Sequence, residues 1–480
     1  MLFNSFQFLV IFPVVIAVYY AVVVAARGRA PVVSAVTLTL LSYAFYLVNQ
    51  PAYTLVLVGV TLVTWAFGLI FDRLNTTSAG RILRHRLLVT AGVTLALVPL
   101  VVFKYYHFIM SVAAGLLARA GLQPEASGAS WIIPLGISFF TFQALGYMWD
   151  VYYGKIRAER NLLYYALFVG FFPQIASGPI SRAFDLLPQL RRPMPPAWTN
   201  LTAGFSMLLW GFFLKAMMSD RLATFVNPVF SNYEVFSGGT CFVASVFYSL
   251  QIYGDFAGYS LMAIGVARMM GYDLVANFNR PYFATSVTDF WRRWHISLSR
   301  WLRDYVYIPL GGSRRGKVRT YTNILVTFLV SGIWHGANFT FIVWGAIHGV
   351  VQCVEKFFGL NGNTVAPVTR ILRIIITFLV VNFAWIFFRM STLGDAVGMV
   401  RRILTMSPGM AMQPKNTDLF FIAASVIVVL GKELAEELRP GLTLIGHRRR
   451  SVRWATYIVL IFGILLCGVL DSSQFIYVNF

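Results

Sequence analysis

Residues 320–354 read TYTNILVTFLVSGIWHGANFTFIVWGAIHGVVQCV and contain no Asp, Glu, Lys or Arg. A helix needs about 20 apolar residues to cross the hydrocarbon core of a bilayer, and this stretch is longer than that. Two ionisable side chains, His335 and His348, nevertheless lie within it. Because polar groups at membrane depth are costly, an ionisable residue there is a functional-site candidate by default. The stretch therefore predicts a membrane-embedded fold with a functional site inside the membrane.

The composition of the whole chain agrees with this interpretation. Of the 480 residues, 58% are hydrophobic and 12% are charged, whereas soluble domains average about 45–50% apolar and about 25% charged residues. These numbers exclude soluble multidomain, secreted, disordered and fibrous classes, and the three isolated cysteines predict neither disulfides nor a metal site. We predict a single all-α polytopic membrane domain over residues 1–480, with about ten to twelve transmembrane helices plus re-entrant helices.

The basic residues predict how the chain is oriented. The chain carries 39 Lys and Arg against 18 Asp and Glu, a net charge of +21, and such an excess is typical of cytoplasmic loops. Residues 1–26 hold no charged side chain and read as a retained first helix, which Arg27 and Arg29 follow. The N-terminus is thus expected outside. The alternation of basic and less basic loops is consistent through the first half of the chain. We expect the basic, Trp-rich segment 268–319 in the cytoplasm and residues 320–356 within the membrane.

The segment 268–319 contains the motif Asp289-Phe-Trp-Arg-Arg-Trp-His295-Ile-Ser-Leu-Ser. Helical spacing over 289–305 predicts one amphipathic helix, with an apolar face of Trp291, Trp294, Leu298, Trp301 and Tyr305 and a polar face of Arg292, His295, Ser299 and Arg303. One interpretation is an interfacial helix whose tryptophans lie at headgroup depth and whose arginines bind lipid phosphate. A neutral imidazole gains little among headgroups, so His295 is also a candidate for proton transfer.

Both histidines of the apolar stretch lie in similar boxes, Gly332-x-x-His335-Gly336 and Gly345-x-x-His348-Gly349. Small neighbours let a helix or a substrate approach the backbone closely. The alternative is that the glycines are ordinary packing contacts and that each histidine bonds a carbonyl. We favour function for His335 and a structural role for His348, because their spacing of 13 residues predicts opposite faces of one continuous helix.

The motifs of this chain run from one end to the other. They are the His295 motif quoted above, Tyr307-Ile-Pro-Leu-Gly-Gly312, Gly332-Ile-Trp-His335-Gly336, Phe3-Asn-Ser-Phe-Gln-Phe8, Gln251-Ile-Tyr-Gly-Asp255-Phe-Ala-Gly-Tyr-Ser260, Asn277-Phe-Asn-Arg-Pro281 and Phe475-Ile-Tyr-Val-Asn-Phe480. Together they resemble the membrane-bound O-acyltransferase (MBOAT) superfamily. The branch they resemble is that of the alginate O-acetyltransferases and the teichoic-acid D-alanyl transfer proteins.

This resemblance carries expectations about fold, site and partners. It implies a ring of helices around a central funnel that is entered from the cytoplasm. It implies that His335 is the catalytic histidine and that His295, our second catalytic candidate, lines the same funnel. An acyl group would pass toward an acceptor outside, where bacterial members work with a periplasmic partner of the SGNH-hydrolase type. The implied location is the bacterial inner membrane, which the chain would cross several times.

The residue types suggest how such a transfer would proceed. His335 would act as general base on the attacking hydroxyl and then return a proton to the departing thiolate. Asn338 or Trp334 would donate to the developing oxyanion, and the arginines would attract an anionic donor such as acetyl-CoA or an acyl-carrier protein. The candidate substrate-binding residues are Trp334, Asn338, Trp294, Arg292, Asp255 and Arg303. We expect no bound cofactor or metal, and no nucleic-acid partner.

The acyl group and the acceptor stay open at this point. Polysaccharide-acetylating members often have an acidic residue where this chain has Leu261, and the apolar residue here favours D-alanyl transfer. The Pro-Leu-Gly-Gly turn instead favours acetylation. Acetyl transfer to an extracytoplasmic polysaccharide is our leading hypothesis, and D-alanyl transfer to a cell-wall polymer is the alternative. A transporter without acyl chemistry, or a structural anchor, would also fit. The residue types leave open whether His335 forms a covalent intermediate or acts only as a base.

Overall fold

The structure is a computed structural model, and it describes residues 3, 5–76, 82–121, 131–175, 178–360, 366–439, 441–442, 445–447 and 449–469. The motif that ends at Phe480 lies outside these residues. Within them the chain is helical, with no strand and one isolated bridge between Phe236 and Met410. The predicted all-α class is therefore confirmed. The ring with its central funnel stays a prediction.

Contacts between residues divide the chain into two compact units. The first consists mainly of Phe6–Trp198 with Met270–Leu274, and the second mainly of Thr199–Met269 with Val275–Phe480. The single domain over residues 1–480 stays a prediction. All the candidate site residues lie in the second unit.

The first unit consists of helices that carry long apolar sequences. They are α1 (Phe6–Ala25), α2 (Ala30–Asn49), α3 (Thr54–Thr76), α4 (Ile82–Leu100), α5 (Tyr106–Arg119), α6 (Ile137–Tyr152), α7 (Leu162–Gly170), α8 (Phe172–Ile175) and α9 (Ala183–Leu190). A short turn at Gln50 and Pro51 separates α2 from α3. Proline has no backbone N–H to continue a helix, and it is well tolerated where the next helix begins.

The second unit contains both long helices and the short helices of the basic segment. They are α10 (Trp198–Phe212), α11 (Asp220–Ser231), α12 (Gly238–Met269), α13 (Val287–Arg293), α14 (Ile296–Leu302), α15 (Lys317–His335), α16 (Phe339–Phe357), α17 (Pro367–Arg389), α18 (Leu393–Leu404), α19 (Asn416–Leu438) and α20 (Arg450–Cys467). A π-helical segment, Phe213–Ser219, joins α10 to α11.

Seven helical stretches of the described residues are long and apolar enough to cross a membrane, judged by length and composition alone. They are Gln7–Ala25, Arg27–Asn49, Pro51–Asn75, Arg86–Arg119, Trp198–Ser231, Pro367–Arg389 and Arg450–Cys467. Further expected spans are present as helices α12, α15, α16 and α19, which fall outside this set because they hold more polar or charged residues. The protein is thus polytopic, with seven spans by this criterion against about ten to twelve expected from the sequence.

The apolar stretch 320–354 folds as a helical hairpin and not as one continuous helix. Helix α15 ends at His335, because the following Gly336 has extended backbone with φ −165°. Helix α16 begins after Asn338, whose side chain accepts the backbone N–H of Thr340 at 3.1 Å. An Asn at this position satisfies one of the free N–H groups of the first helical turn.

The two helices of the hairpin approach each other through glycines. A Cβ atom on Gly332 would lie 2.3 Å from the carbonyl oxygen of Phe341. A Cβ atom on Gly345 would lie 2.3 Å from the carbonyl oxygen of Phe328. Only glycine fits at such separations, as in other closely packed membrane helices. The alternative proposed for the Gly-x-x-His-Gly boxes is therefore correct for these two glycines.

The predicted single helix over 289–305 is wrong. The chain forms α13 and α14 with a break between them, where His295 has a positive φ of 42°. Two backbone hydrogen bonds hold the break, from Asn279 N to the Arg293 carbonyl and from Ile296 N to the Asn277 carbonyl, both at 2.9 Å. The predicted apolar face is buried, but His295 leaves the polar face and is fully buried as well.

Candidate functional site

His335 is buried at the end of α15, and its neighbours fix its tautomer. Its Nδ1 lies 2.7 Å from the carbonyl oxygen of Ser331, one helical turn earlier. A carbonyl oxygen only accepts, so Nδ1 carries the proton. In the neutral ring the lone pair is then on Nε2, which is the form a general base needs. The carbonyl bond proposed as the structural alternative for His335 thus exists, and it also prepares the ring for proton transfer.

His295 has the same tautomer, although its partner is a side chain. Its Nδ1 lies 3.1 Å from Oδ1 of Asn277. The backbone N–H and the hydroxyl of Ser297 donate to the same atom at 3.2 Å and 2.9 Å. A backbone N–H only donates, so this atom of Asn277 is the oxygen and His295 Nδ1 must donate to it.

The surroundings of His295 disfavour its charged form. Complete burial, with a smaller contribution from the neighbouring His335, holds the pKa of His295 well below its ordinary value. The ring of Trp334 contacts both histidines, with its centroid 5.9 Å from that of His295 and 4.8 Å from that of His335. The structure thus brings together the two histidines that the sequence singled out, and in both the Nδ1 atom is the hydrogen-bond donor.

His348 lies in the same cluster. The ring of Trp344 contacts both His335 and His348, with centroid distances of 4.7 Å and 5.0 Å. The expectation that the two histidines face opposite ways is wrong, because the chain turns between α15 and α16 and the spacing of 13 residues does not run along one helix. The turn signal Gly336-Ala-Asn338 was present in the sequence and predicts this reversal.

A cavity of about 610 Å³ lies beside the histidine cluster. Its lining includes four basic side chains among the described residues: Arg292, Arg300, Arg303 and Lys356. None of the described residues that line it is acidic, although Arg303 also pairs with Asp304 at 2.8 Å. Ser331, whose carbonyl fixes the tautomer of His335, lines the cavity together with Trp291 and Phe328. The predicted arginines Arg292 and Arg303 therefore lie where a negatively charged ligand would meet them.

Trp294 packs within the aromatic core. Its ring stacks on Phe290 with centroids 5.4 Å apart and lies 5.1 Å from Trp385. Asn338 is the capping residue of α16, and its amide also donates to the carbonyl of Ser391. The substrate-binding roles proposed for Trp294 and Asn338 stay predictions, and both side chains have structural roles in this molecule.

Asp255 belongs to a buried ion cluster. Lys215 Nζ lies 2.7 Å from a carboxylate oxygen of Asp255 and 2.7 Å from one of Asp220, and it is 5.6 Å from the ring centroid of Tyr259. All three charged residues are at most 5% exposed. The substrate-binding role proposed for Asp255 stays a prediction. Sequence reasoning missed Lys215, although a lysine within a predicted span was itself a signal.

Sequence reasoning also missed Asn277, which orients His295. The residue stands in Asn277-Phe-Asn-Arg-Pro281, a motif that carried the resemblance but received no role. Its partners, His295 and Ser297, lie 18 and 20 residues further along the chain. Only the folded chain shows that it accepts from the histidine.

Comparison with known proteins places the chain in a family. Residues 155–394 match the membrane-bound O-acyltransferase family. The chain is 38% identical over 395 residues to a probable alginate O-acetylase of Pseudomonas aeruginosa, covering 82% of this chain and 73% of the relative. It is 32% identical over 429 residues to the peptidoglycan O-acetyltransferase of Helicobacter pylori, covering 84% of this chain and 79% of the relative.

A third relative is the teichoic acid D-alanyltransferase of Bacillus subtilis, which is 30% identical over 286 residues, covering 55% of this chain and 71% of the relative. The family match covers half of the chain and includes His295, His335 and His348. Together with the helices that can span a membrane, these matches show that the chain belongs to the membrane-bound O-acyltransferase family and is an O-acyltransferase.

Proposed function

We propose that this O-acyltransferase passes an acetyl group from a cytoplasmic thioester donor across the bacterial inner membrane, for O-acetylation of an extracytoplasmic polysaccharide. Two of the three relatives described above are named for acetyl transfer, to alginate and to peptidoglycan. The third is named for D-alanyl transfer to teichoic acid. These names support acetyl as the group transferred, with D-alanyl transfer as the second candidate.

The observation that carries the proposal is the cavity beside the histidine cluster. Its exposed arginines suit the phosphates of acetyl-CoA, or the acidic surface of an acyl-carrier protein, because basic side chains concentrate anionic ligands. Its buried lining reaches Ser331, which accepts the hydrogen bond from His335. A donor bound there by its charged end would place its thioester toward His335, away from bulk water.

The chemistry follows from the tautomer of His335. Nε2 takes the proton of the acceptor hydroxyl as its oxygen bonds to the carbonyl carbon of the thioester. The carbon–sulfur bond then breaks, and Nε2 returns the proton to the departing thiolate, so that an ester and a free thiol result. Such general acid–base help is worth about 10²–10⁴-fold in rate. A periplasmic protein of the SGNH-hydrolase type would receive the group and complete esterification of the polysaccharide.

The test is thiol release from radiolabelled acetyl-CoA by the purified full chain in lipid nanodiscs. A candidate periplasmic acceptor is supplied if one is encoded alongside. We expect release with the wild type and a loss of at least about 10²-fold with His335→Ala and with His295→Ala. The matched control is His107→Ala, since His107 is exposed on α5 and far along the chain from the motifs.

Each outcome separates the candidates. Substantial release by His335→Ala protein would remove this residue from the role of base. If the wild type releases no thiol from acetyl-CoA but does so from a D-alanyl-loaded carrier protein, the acyl group is D-alanyl. If neither donor is consumed while a polysaccharide or lipid moves across proteoliposomes, the protein is a transporter and the proposed function fails.

A further inference from the structure

A tryptophan determines which nitrogen of His348 carries the proton. Trp291 Nε1 lies 3.3 Å from Nδ1 of His348. An indole N–H can only donate, so Nδ1 of His348 accepts. The neutral ring therefore has its proton on Nε2, which makes that atom a hydrogen-bond donor. His295 and His335 have the opposite tautomer, since their Nδ1 atoms donate.

The ring of His348 lies against that of Trp344, with centroids 5.0 Å apart, and the indole of Trp344 carries a second donor, Nε1. Both side chains are 0% exposed, and neither atom has a hydrogen-bond partner in the part of the chain that the structure describes. Buried donors are nearly always satisfied, and each exception calls for an explanation. Two N–H groups in a water-excluded place are the arrangement that stabilises a developing oxyanion.

The position of this donor pair fits such a role. Trp344 contacts both His335 and His348, at 4.7 Å and 5.0 Å between ring centroids, so the ring that carries one donor also touches the proposed base. Trp291 and Phe328, which line the cavity, also contact His348 at 5.2 Å and 6.2 Å. His335, Trp344 and His348 thus belong to one aromatic cluster with Trp291 and Phe328, the two members that line the cavity.

We infer that His348 Nε2–H and Trp344 Nε1–H donate hydrogen bonds to the carbonyl oxygen of the acyl group during transfer. The inference rests on the proposed function and adds catalytic residues to it. As the hydroxyl oxygen bonds to the carbonyl carbon, the electron pair of the C=O bond moves onto oxygen, where the two donors stabilise the charge. The pair returns to the carbonyl when the carbon–sulfur bond breaks and the thiolate leaves.

Two amide substitutions separate this role from a structural one. In His348→Gln the amide nitrogen reaches the position of Nε2 and retains the donor. In His348→Asn the amide reaches only the position of Nδ1, so it retains the acceptor for Trp291 and loses the donor. If His348 serves only to hold Trp291 in place, the Asn variant should be the more active of the two. If His348 donates to the substrate, the Gln variant should be more active than the Asn variant.

We expect His348→Asn to lower kcat for acetyl transfer by about 10²–10³-fold, the usual cost of one oxyanion donor, and His348→Gln to stay within about tenfold of the wild type. Trp344→Phe keeps an aromatic ring in contact with the histidines but removes the N–H, so its kcat should also fall about 10²-fold. His107→Asn and His107→Gln are the matched controls. Equal activity of the two His348 variants, or a more active Asn variant, would overturn the inference.

A second measurement does not depend on turnover. Acetyl thioester labelled with ¹³C at the carbonyl is bound to His335→Ala protein, and its C=O stretch is recorded by infrared difference spectroscopy. Donation from His348 should place this band at a lower wavenumber than in the His335→Ala/His348→Asn protein. Identical bands would count against the inference. If instead the wild type consumes no thioester at all, the proposed function fails, and that result is distinct from any difference among the His348 variants.

Discussion

At the residue scale, the neighbours of each histidine decide what it can do. Ser331 and Asn277 hold the Nδ1 protons of His335 and His295, so both rings keep their lone pairs on Nε2. Trp291 does the reverse for His348. Three buried imidazoles of identical chemistry therefore divide into two whose Nε2 can accept a proton and one whose Nε2–H can donate a hydrogen bond. The tautomer of each ring is set by the partner of its Nδ1 atom.

The role of Asn277 is testable through the ring it orients. Asn277→Ala removes the acceptor of His295 Nδ1, and we expect kcat to fall about 10- to 100-fold with little change in KM, as for other partners that orient a histidine. Asn277→Asp keeps an acceptor and should retain more activity. Its carboxylate favours imidazolium and raises the pKa of His295, so the acidic limb of the pH–rate profile should move to higher pH. An unchanged kcat in the Ala variant and an unchanged profile in the Asp variant would refute this role.

Sequence reasoning found the two catalytic candidates but could not predict their tautomers or the hydrogen-bond partners that fix them. His335 was predictable because an ionisable residue in an uncharged stretch is costly and needs a reason. Its acceptor is a backbone carbonyl, which every residue has and no residue type indicates. For His295 the acceptor is Asn277, which lies 18 residues away along the chain. Tautomers depend on such contacts, and periodicity carries no information about them.

At the element scale, tertiary contacts override local periodicity twice. The helical spacing over 289–305 is genuine, and its apolar residues are buried as predicted, but the chain breaks at His295. A positive φ at a non-glycine residue costs on the order of 1–3 kcal/mol, and the hydrogen bonds of Asn277 and Asn279 to the break offset that cost. The hairpin of α15 and α16 likewise replaces the continuous helix on which we predicted opposite faces for His335 and His348. In both cases the sequence predicted which residues are buried but not the direction of the chain.

The glycine contacts of this hairpin give a prediction about stability. A methyl group at Gly332 or Gly345 would meet backbone oxygen at 2.3 Å, so Ala at either position forces α15 and α16 apart. We expect each variant to lower the free energy of unfolding by about 1–3 kcal/mol and to reduce transfer activity, since His335 and His348 are carried by these helices. Thermal unfolding in nanodiscs and thiol release are the measurements.

The matched control for these substitutions is Gly431→Ala in α19. A Cβ atom there meets nothing within 4 Å, and alanine is favoured over glycine in a helix by about 1 kcal/mol. This variant should be as stable as the wild type or slightly more so, and fully active. Equal losses in Gly431→Ala and Gly332→Ala would show that close packing of the hairpin is not the cause.

At the scale of the whole molecule, the net charge of +21 includes the four basic side chains that line the cavity. Attraction between exposed charges falls as salt shortens the Debye length, from about 10 Å at 0.1 M to about 3 Å at 1 M. The affinity for an anionic donor should therefore depend on ionic strength, whereas the chemistry at the buried histidines should not.

The all-helical membrane class followed from composition, because too few polar residues exist to cover a soluble surface.

Salt dependence can be measured with matched donors. We expect KM for acetyl-CoA to rise about 3- to 10-fold between 0.05 M and 0.5 M salt at constant kcat. Acetylpantetheine, which lacks the phosphates, should show little change. Arg300→Gln should weaken the salt dependence, and Arg119→Gln, exposed on α5, should leave it as in the wild type. A KM that rises equally for both donors would place the charged end of the donor elsewhere.

The buried cluster of Lys215, Asp220 and Asp255 constrains how this sequence can diverge. Loss of the lysine alone leaves two carboxylates without their shared cation in a place that excludes water, and breaking such a group typically costs about 3–5 kcal/mol. Replacing all three by apolar residues of similar volume costs far less. In related proteins these three positions should therefore change together or not at all, so a lineage that has lost one of them will have passed through a double or triple replacement.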